Sequence, residues 1–214
     1  MTHPRLAGGT TAPAHHPSPD MLASYVAGTI RAGFDLVVAA HLDTCARCRR
    51  EVSRLEKLGG HLISQLDPAV MAEDALTQTL ARLEEPLPAM PPQRHGLDQI
   101  LANARQRWVA PGVWTAKVDT PHAQEDRVFL LRAAPGAKTA RHSHAGTELT
   151  QVLEGALKDG DIIYRAGDFV ELDASHTHHP SVHGDRPCLC LFATEGRLVP
   201  TDLVGRIAFA VANV

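Results

Sequence analysis

Residues 136–155 read GAKTARHSHAGTELTQVLEG, in which Gly136, His142, His144, Glu148 and Gly155 fall in the pattern G-x5-H-x-H-x3-E-x6-G. Side chains alternate across a strand with a period of two, so His142 and His144 project from one face. Glu148 returns on the following strand to meet them. A further nitrogen is expected downstream, where GDFVELDASHTHHP at 167–180 offers His176, His178 and His179, of which one should reach the metal. Three imidazoles and a carboxylate suit zinc, iron, manganese or nickel.

Around this stretch apolar residues recur with a period near two. Segments 113–118, 127–132, 149–153, 161–165, 169–172 and 188–193 are predicted as short strands, separated by turn material at Pro135-Gly136, Lys158-Asp159-Gly160 and His183-Gly184-Asp185. These intervals suit an antiparallel sandwich or barrel. Cys188 and Cys190 lie two apart on the last of these strands, so their thiols face one way. Inside the barrel they would lie near the metal and could take part in redox sensing, although cysteines so placed are more often small buried hydrophobes.

Upstream of residue 86 the period lengthens to that of helices. Ser18 is predicted to cap a first helix with Pro19 at its first position and Met21, Leu22, Tyr25, Val26 and Ile30 on its apolar side. A second runs over 34–42. A third, capped by Asp43 or Thr44, carries Val52, Leu55, Leu58, Leu62 and Leu66 and is interrupted at Gly59-Gly60; a fourth opens at Asp67-Pro68 and carries Val70, Glu73, Leu76, Leu80 and Leu83 along one side. The segment EEPLPAMPPQRHG at 84–96 holds four prolines and cannot continue a helix. The expected fold class is therefore α+β multidomain: a small zinc-bound helical bundle over 1–85, a Pro-rich linker over 86–97 that permits relative motion, and an antiparallel β-barrel over 98–214.

The helical half has its own donor set. His41, Cys45 and Cys48 form H-x3-C-x2-C, and on one continuous helix they would lie within an arc of about 60°. Zinc takes such thiolate and imidazole donors in tetrahedral sets, and a helix N-terminus favours the thiolate form. The fourth member is open at this level: His16 precedes the first helix, with His15 its direct rival and His61 a weaker one. A complete His2Cys2 set would tie together helices whose own core is small.

Composition excludes several classes. The 214 residues are 44% hydrophobic with a formal net charge of -3, and residues 1–85 carry eight Lys/Arg against ten Asp/Glu. Direct nucleic-acid binding needs a cationic surface that this balance does not supply. Arg47, Arg49, Arg50, Arg54 and Lys57 make a local basic band, but Glu51 and Glu56 within it mark a solvated helical face. No stretch approaches the roughly 20 apolar residues of a membrane span. MTHPRLAGGTTAPAHHP lacks an apolar signal region, and two close cysteine pairs favour metal or redox chemistry, so a cytoplasmic location is expected.

The two barrel stretches resemble the cupin family. The first matches its motif at every defining position; in the second, whose pattern is G-x5-P-x-G-x2-H, Gly167 and His178 keep register while Asp173 and Ser175 replace the proline and inner glycine. Together with H-x24-H-x3-C-x2-C upstream, nearly the whole chain resembles the ChrR-type zinc anti-sigma factors. That resemblance implies zinc held by His16, His41, Cys45 and Cys48, and a second metal, zinc by analogy, held by His142, His144, Glu148 and His178. It implies a non-enzymatic regulator whose helical domain inhibits a group IV (extracytoplasmic-function) sigma factor, with the cupin domain needed for release in response to singlet oxygen or peroxides. No small-molecule substrate is then expected. Leu22, Tyr25, Val26, Leu76, Leu80 and Leu83 are candidates for the partner surface, though core positions are the default for most of them. The rival is a metal-dependent cupin dioxygenase or isomerase with an accessory zinc-binding helical domain, for which Arg132, Arg141 and Arg165 are possible substrate anchors outside any diagnostic motif.

Overall fold

The computed structural model describes residues 12–84, 100–101, 104–119 and 126–201; the predicted linker at 86–97 lies outside them. Helices come first and antiparallel strands second, as the periodicity requires. Ser18 Oγ accepts from the Met21 amide at 3.2 Å and starts α1 (Pro19–Val26), whose Leu22 is buried. α2 (Ala32–Thr44) is longer at both ends than the predicted 34–42. α3 (Ala46–Ser64) is capped not by Asp43 or Thr44 but by Cys45, whose extended backbone brings Sγ to 3.4 Å from the Cys48 amide. Thr44 Oγ1 instead donates to the His41 carbonyl at 3.0 Å.

Two further expectations change. Gly59-Gly60 does not interrupt α3, and a Cβ at either position would meet nothing, so neither a hinge nor a close approach explains the pair. α4 (Ala75–Ala81) begins well after Asp67-Pro68. A residue before proline is steered away from helical dihedrals, and residues 67–74 are all exposed, so no buried face supports a helix there.

The strands are β1 (Arg107–Ala110), β2 (Val113–Lys117), β3 (Asp126–Ala133), β4 (His142–His144), β5 (Glu148–Glu154), β6 (Ala156–Asp159), β7 (Ile162–Arg165), β8 (Phe169–Leu172), β9 (Thr177–His178), β10 (Ser181–Val182), β11 (Cys188–Glu195) and β12 (Leu198–Pro200). A six-stranded sheet runs β1-β2-β3-β11-β5-β8, and two three-stranded sheets run β10-β6-β7 and β12-β4-β9. Tyr164, Val182 and Leu198 from the smaller sheets pack with Phe129, Val152, Val170 and Phe192 of the large one, which makes the barrel interior.

β5 is buried on both faces. Glu148, Thr150 and Val152 look into the barrel, while Leu149 and Leu153 look outward and join Phe34, Val37 and Val38 of α2, together with Leu22, Leu130 and Leu191, in a second core. The helices thus complete their small core against the outside of the barrel. α2 lies so close to β3 that a Cβ on Gly33 would stand 2.7 Å from Val128 Cγ2. The N-terminus of α2 is capped from across the molecule at the same place: the Gly33 amide donates to Asp126 Oδ2 at 3.2 Å, and Arg31 bridges Asp126 (3.4 Å) and Glu195 (3.0 Å). A carboxylate at a helix N-terminus satisfies an orphan amide and complements the dipole.

Gly33→Ala is therefore expected to destabilise the full chain. Forcing a methyl into this contact costs about 1–3 kcal/mol by overpacking, only partly offset by the ~1 kcal/mol that alanine gains in helix propensity. Thermal unfolding checks it, and a raised melting temperature would contradict the close packing.

Candidate metal centres

β4 and β5 place the barrel quartet. His142, His144 and Glu148 are buried, His178 on β9 is half-buried, and their ligand atoms lie within 4.8 Å of one another. Register explains the meeting, since His142 pairs with His178 across β4 and β9. The Nδ1 atoms face outward partners: that of His142 lies 2.8 Å from the Ala140 carbonyl, and that of His178 lies 2.8 Å from Asp159 Oδ2. Those acceptors place the ring protons on Nδ1, so the two Nε2 lone pairs oppose each other at 3.0 Å. Such a pair calls for a cation between the rings. His144 Nε2 stands 3.4 Å from Glu148 Oε2, and neither atom has a hydrogen-bond partner among the described residues. The quartet fits a divalent ion, and the Asp159–His178 contact is the outer carboxylate that commonly orients a ligating imidazole.

Burial shapes the protonation of the quartet. It depresses His142 to about 4, leaving that ring neutral and able to ligate. At His144 burial works in the same direction, but the contact with Glu148 outweighs it and the value ends above the ordinary one. His176 and His179 are exposed, and His176 is engaged with Asp173 at 2.9 Å, so neither joins the quartet.

A cavity of about 120 Å³ opens beside these residues, with Phe129, Leu131, Val170, Leu172 and Phe192 among its walls. Cys188 and Cys190 also line it, both buried, with their sulfurs 3.6 Å apart. Contact between the thiols and burial hold Cys190 well above the usual thiol range. Lys138 is the cation among the lining residues; Arg132, Arg141 and Arg165 are exposed and do not line the cavity.

The second quartet sits where the helices meet the barrel. His16, His41, Cys45 and Cys48 bring their ligand atoms within 4.8 Å of one another. His16 Nδ1 is 3.4 Å from both sulfurs. His15 turns the other way, onto the Tyr164 ring and to 3.4 Å from Asp168, and His61 lies exposed on α3. His41 is fully buried, and its Nδ1 lies 3.1 Å from both Gln151 Oε1 and the Gly167 carbonyl. Its Nε2 is buried without a partner, as a ligand atom facing an ion would be. Burial pushes His41 down to about 4 and, followed by the repulsion of Arg47, lowers His16. Both rings are therefore neutral at pH 7. Burial and then the hydrogen bond with Cys45 push the Cys48 thiol up to about 12 in the absence of metal. Two thiols and two neutral imidazoles fit a soft or borderline divalent ion.

The profile of the ChrR cupin-like domain matches residues 98–198. The anti-sigma-E factor ChrR of Cereibacter sphaeroides is 32% identical over 195 residues, covering 86% of this chain and 91% of that protein. This chain belongs to the ChrR family. A chain in the crystal structure of Rhodobacter sphaeroides SigE in complex with the anti-sigma ChrR superposes with a TM-score of 0.73 at 35% identity, over 85% of this chain and 98% of that one. The β half of this family member is accordingly a cupin-like barrel.

Of the residues around the two quartets, the sequence marks only Gly167, and that for its motif position and not for its contact with His41. Gln151, Gly167, Asp168 and Asp159 act by contact with partners 19 to 154 positions away, and no spacing rule reaches that far. Asp168 accepts from the Ala14, His15 and Arg165 amides at 2.7, 3.0 and 2.7 Å. Burial opposes its charge, but those amides outweigh burial and hold it below the ordinary carboxylate range.

The state of Cys48 sets a pH dependence. Metal must displace a proton from a thiol whose pKa is about 12, so affinity at this site rises with pH. Zinc titration of the full chain against a calibrated chelator is expected to show a loss of at least about 10-fold per pH unit from pH 8 to pH 6, one decade for each thiol proton displaced. A pH-independent affinity would contradict thiolate ligation.

Proposed function

We propose that the chain is a zinc anti-sigma factor that binds and inhibits a group IV sigma factor. The observation that carries this reading is an uncovered apolar surface. Leu58, Leu62, Ile63, Leu66, Val70, Met71, Leu76, Leu80 and Leu83 are each more than half exposed, from Leu80 at 53% upward. A run of this kind on α3, α4 and their connection is too extensive for a solvated face and suits a partner that takes an amphipathic helix into a groove. The names of the relatives supply the partner class, an anti-sigma factor in one case and its complex with SigE in the other. Of the partner-surface candidates, Leu76, Leu80 and Leu83 remain in this surface; Leu22 is core, and Tyr25 and Val26 pack against it.

In this reading His16, His41, Cys45 and Cys48 hold a structural zinc, closed to water by four protein ligands. His142, His144, Glu148 and His178 hold a second ion, zinc by analogy, in a barrel required for release under singlet oxygen or peroxide stress. The helical unit spans 1–85, the linker 86–97 and the cupin domain 98–214. The protein works in the cytoplasm, where the sigma factor meets RNA polymerase; its four free cysteines suit a reducing compartment, and no helix among the described residues is long and apolar enough to cross a membrane.

Co-expression with group IV sigma factors from the same genome tests the reading. A stable heterodimer is expected with the native chain. Leu76→Asp with Leu80→Asp should weaken it ~1000-fold, at about 2 kcal/mol per buried anchor, while leaving thermal unfolding of the free chain unchanged because both residues are exposed. If no sigma factor co-purifies and the preparation instead turns over a small molecule, the chain is a metal-dependent dioxygenase or isomerase and the anti-sigma reading fails.

A further inference from the structure

The two imidazoles of the helix-junction quartet are held by the barrel. Asp168 fixes the Ala14 and His15 amides, and the Phe169 amide donates to the His15 carbonyl at 3.2 Å, which places His16 against the sulfurs. His41 comes from α2, yet both acceptors of its Nδ1 proton are barrel atoms: Gln151 Oε1 on β5 and the carbonyl of Gly167 in the turn before β8. Only the cysteines are placed by the helices alone, through the Cys45 cap of α3.

We propose that Gln151 is a positioning residue of the helix-junction metal site, acting with the Gly167 carbonyl to hold the His41 ring so that Nε2 is presented to the metal, and that β5 thereby ties this site to the barrel quartet. The geometry leaves His41 one assignment. Nδ1 has two acceptors within 3.1 Å and must carry the proton, while Nε2 has no partner and keeps its lone pair. Gln151 is fully buried, and its amide nitrogen is anchored to the Val152 carbonyl at 3.1 Å, which aims Oε1 at the ring. Strand alternation does the rest. Glu148 faces the barrel interior and Gln151, three residues along the same strand, faces the helices. A displacement of β5 at Glu148 reaches His41 through one side chain. Outer partners of this kind typically change metal affinity by 10–100-fold when removed.

This rests on the metal reading of the His16, His41, Cys45, Cys48 quartet, and the test separates the two. Cobalt is titrated into the metal-free full chain and into a Cys188→Ala, Cys190→Ala chain; the thiolate-to-cobalt charge transfer common to both reports this site alone, because the barrel quartet contains no sulfur and the thiols beside it are then gone. A native chain without that band defeats the metal reading itself. With the band present, Gln151→Met, which keeps length and loses the acceptor, is expected to bind cobalt about 10-fold more weakly with shifted ligand-field bands. Gln151→Glu, which keeps an acceptor, should restore affinity to within about threefold. A Gln151→Met chain with native affinity and spectrum overturns the proposal; so do Met and Glu variants weakened equally, since packing alone would then explain the loss. If the Met variant does not fold, Gln151→Asn, one methylene shorter, withdraws the acceptor and must show the same weakening; native affinity there also overturns it.

Discussion

One buried ring holds the two halves of this molecule to a common geometry. His41 sits at the end of α2 with Nδ1 turned to Gln151 and Gly167 and Nε2 turned to the cysteines. A buried imidazole needs both nitrogens satisfied, and each half of the chain supplies one side. The other end of α2 is tied in the same way, by Asp126 and Glu195 of the barrel on Gly33 and Arg31. Between these anchors Phe34, Val37 and Val38 cover Leu149 and Leu191. The helical unit gains from this contact the apolar burial that three short helices cannot provide alone.

The arrangement leaves a division of labour along the helices. α1, α2 and the first turns of α3 are committed to the barrel and to the metal quartet. Beyond Leu58 nothing among the described residues covers the apolar side chains, although their number would suffice for a core. A surface so placed begins where the part of α3 that carries Cys48 and packs on the core ends. Cys45, the cap of α3, fixes the point from which that helix leaves the barrel.

Legibility in the sequence followed the range of the interactions. The strands at 127–132, 149–153 and 188–193 were plain because short apolar runs and the turn residues around them act locally, and His142, His144 and Glu148 stood out because strand alternation puts ligands at short, fixed spacing. β1, β6, β9, β10 and β12 were missed: the last three are only two or three residues long and carry no periodic signal, and the turn expected at Lys158-Asp159-Gly160 takes in the end of β6. The start of α4 was misplaced because amphipathic spacing at Val70 and Leu76 indicates a helical face only when something covers it. The Asp43 or Thr44 cap lost to Cys45, a residue that cap preferences do not favour but that a metal quartet requires. Gln151 and Asp168 were illegible as site residues, since a polar residue inside a strand or turn announces nothing about a histidine more than 100 positions away.

In the proposed function a metal at the helix junction holds the apolar surface in its partner-binding form. Calorimetric titration of a purified cognate sigma factor into the full chain, zinc-loaded and then stripped by a chelator, measures this directly. Tight one-to-one binding is expected with zinc, weakening at least about 100-fold on stripping, since a structural metal contributes folding energy outright, and returning when zinc is added back. Equal affinity with and without zinc would contradict it.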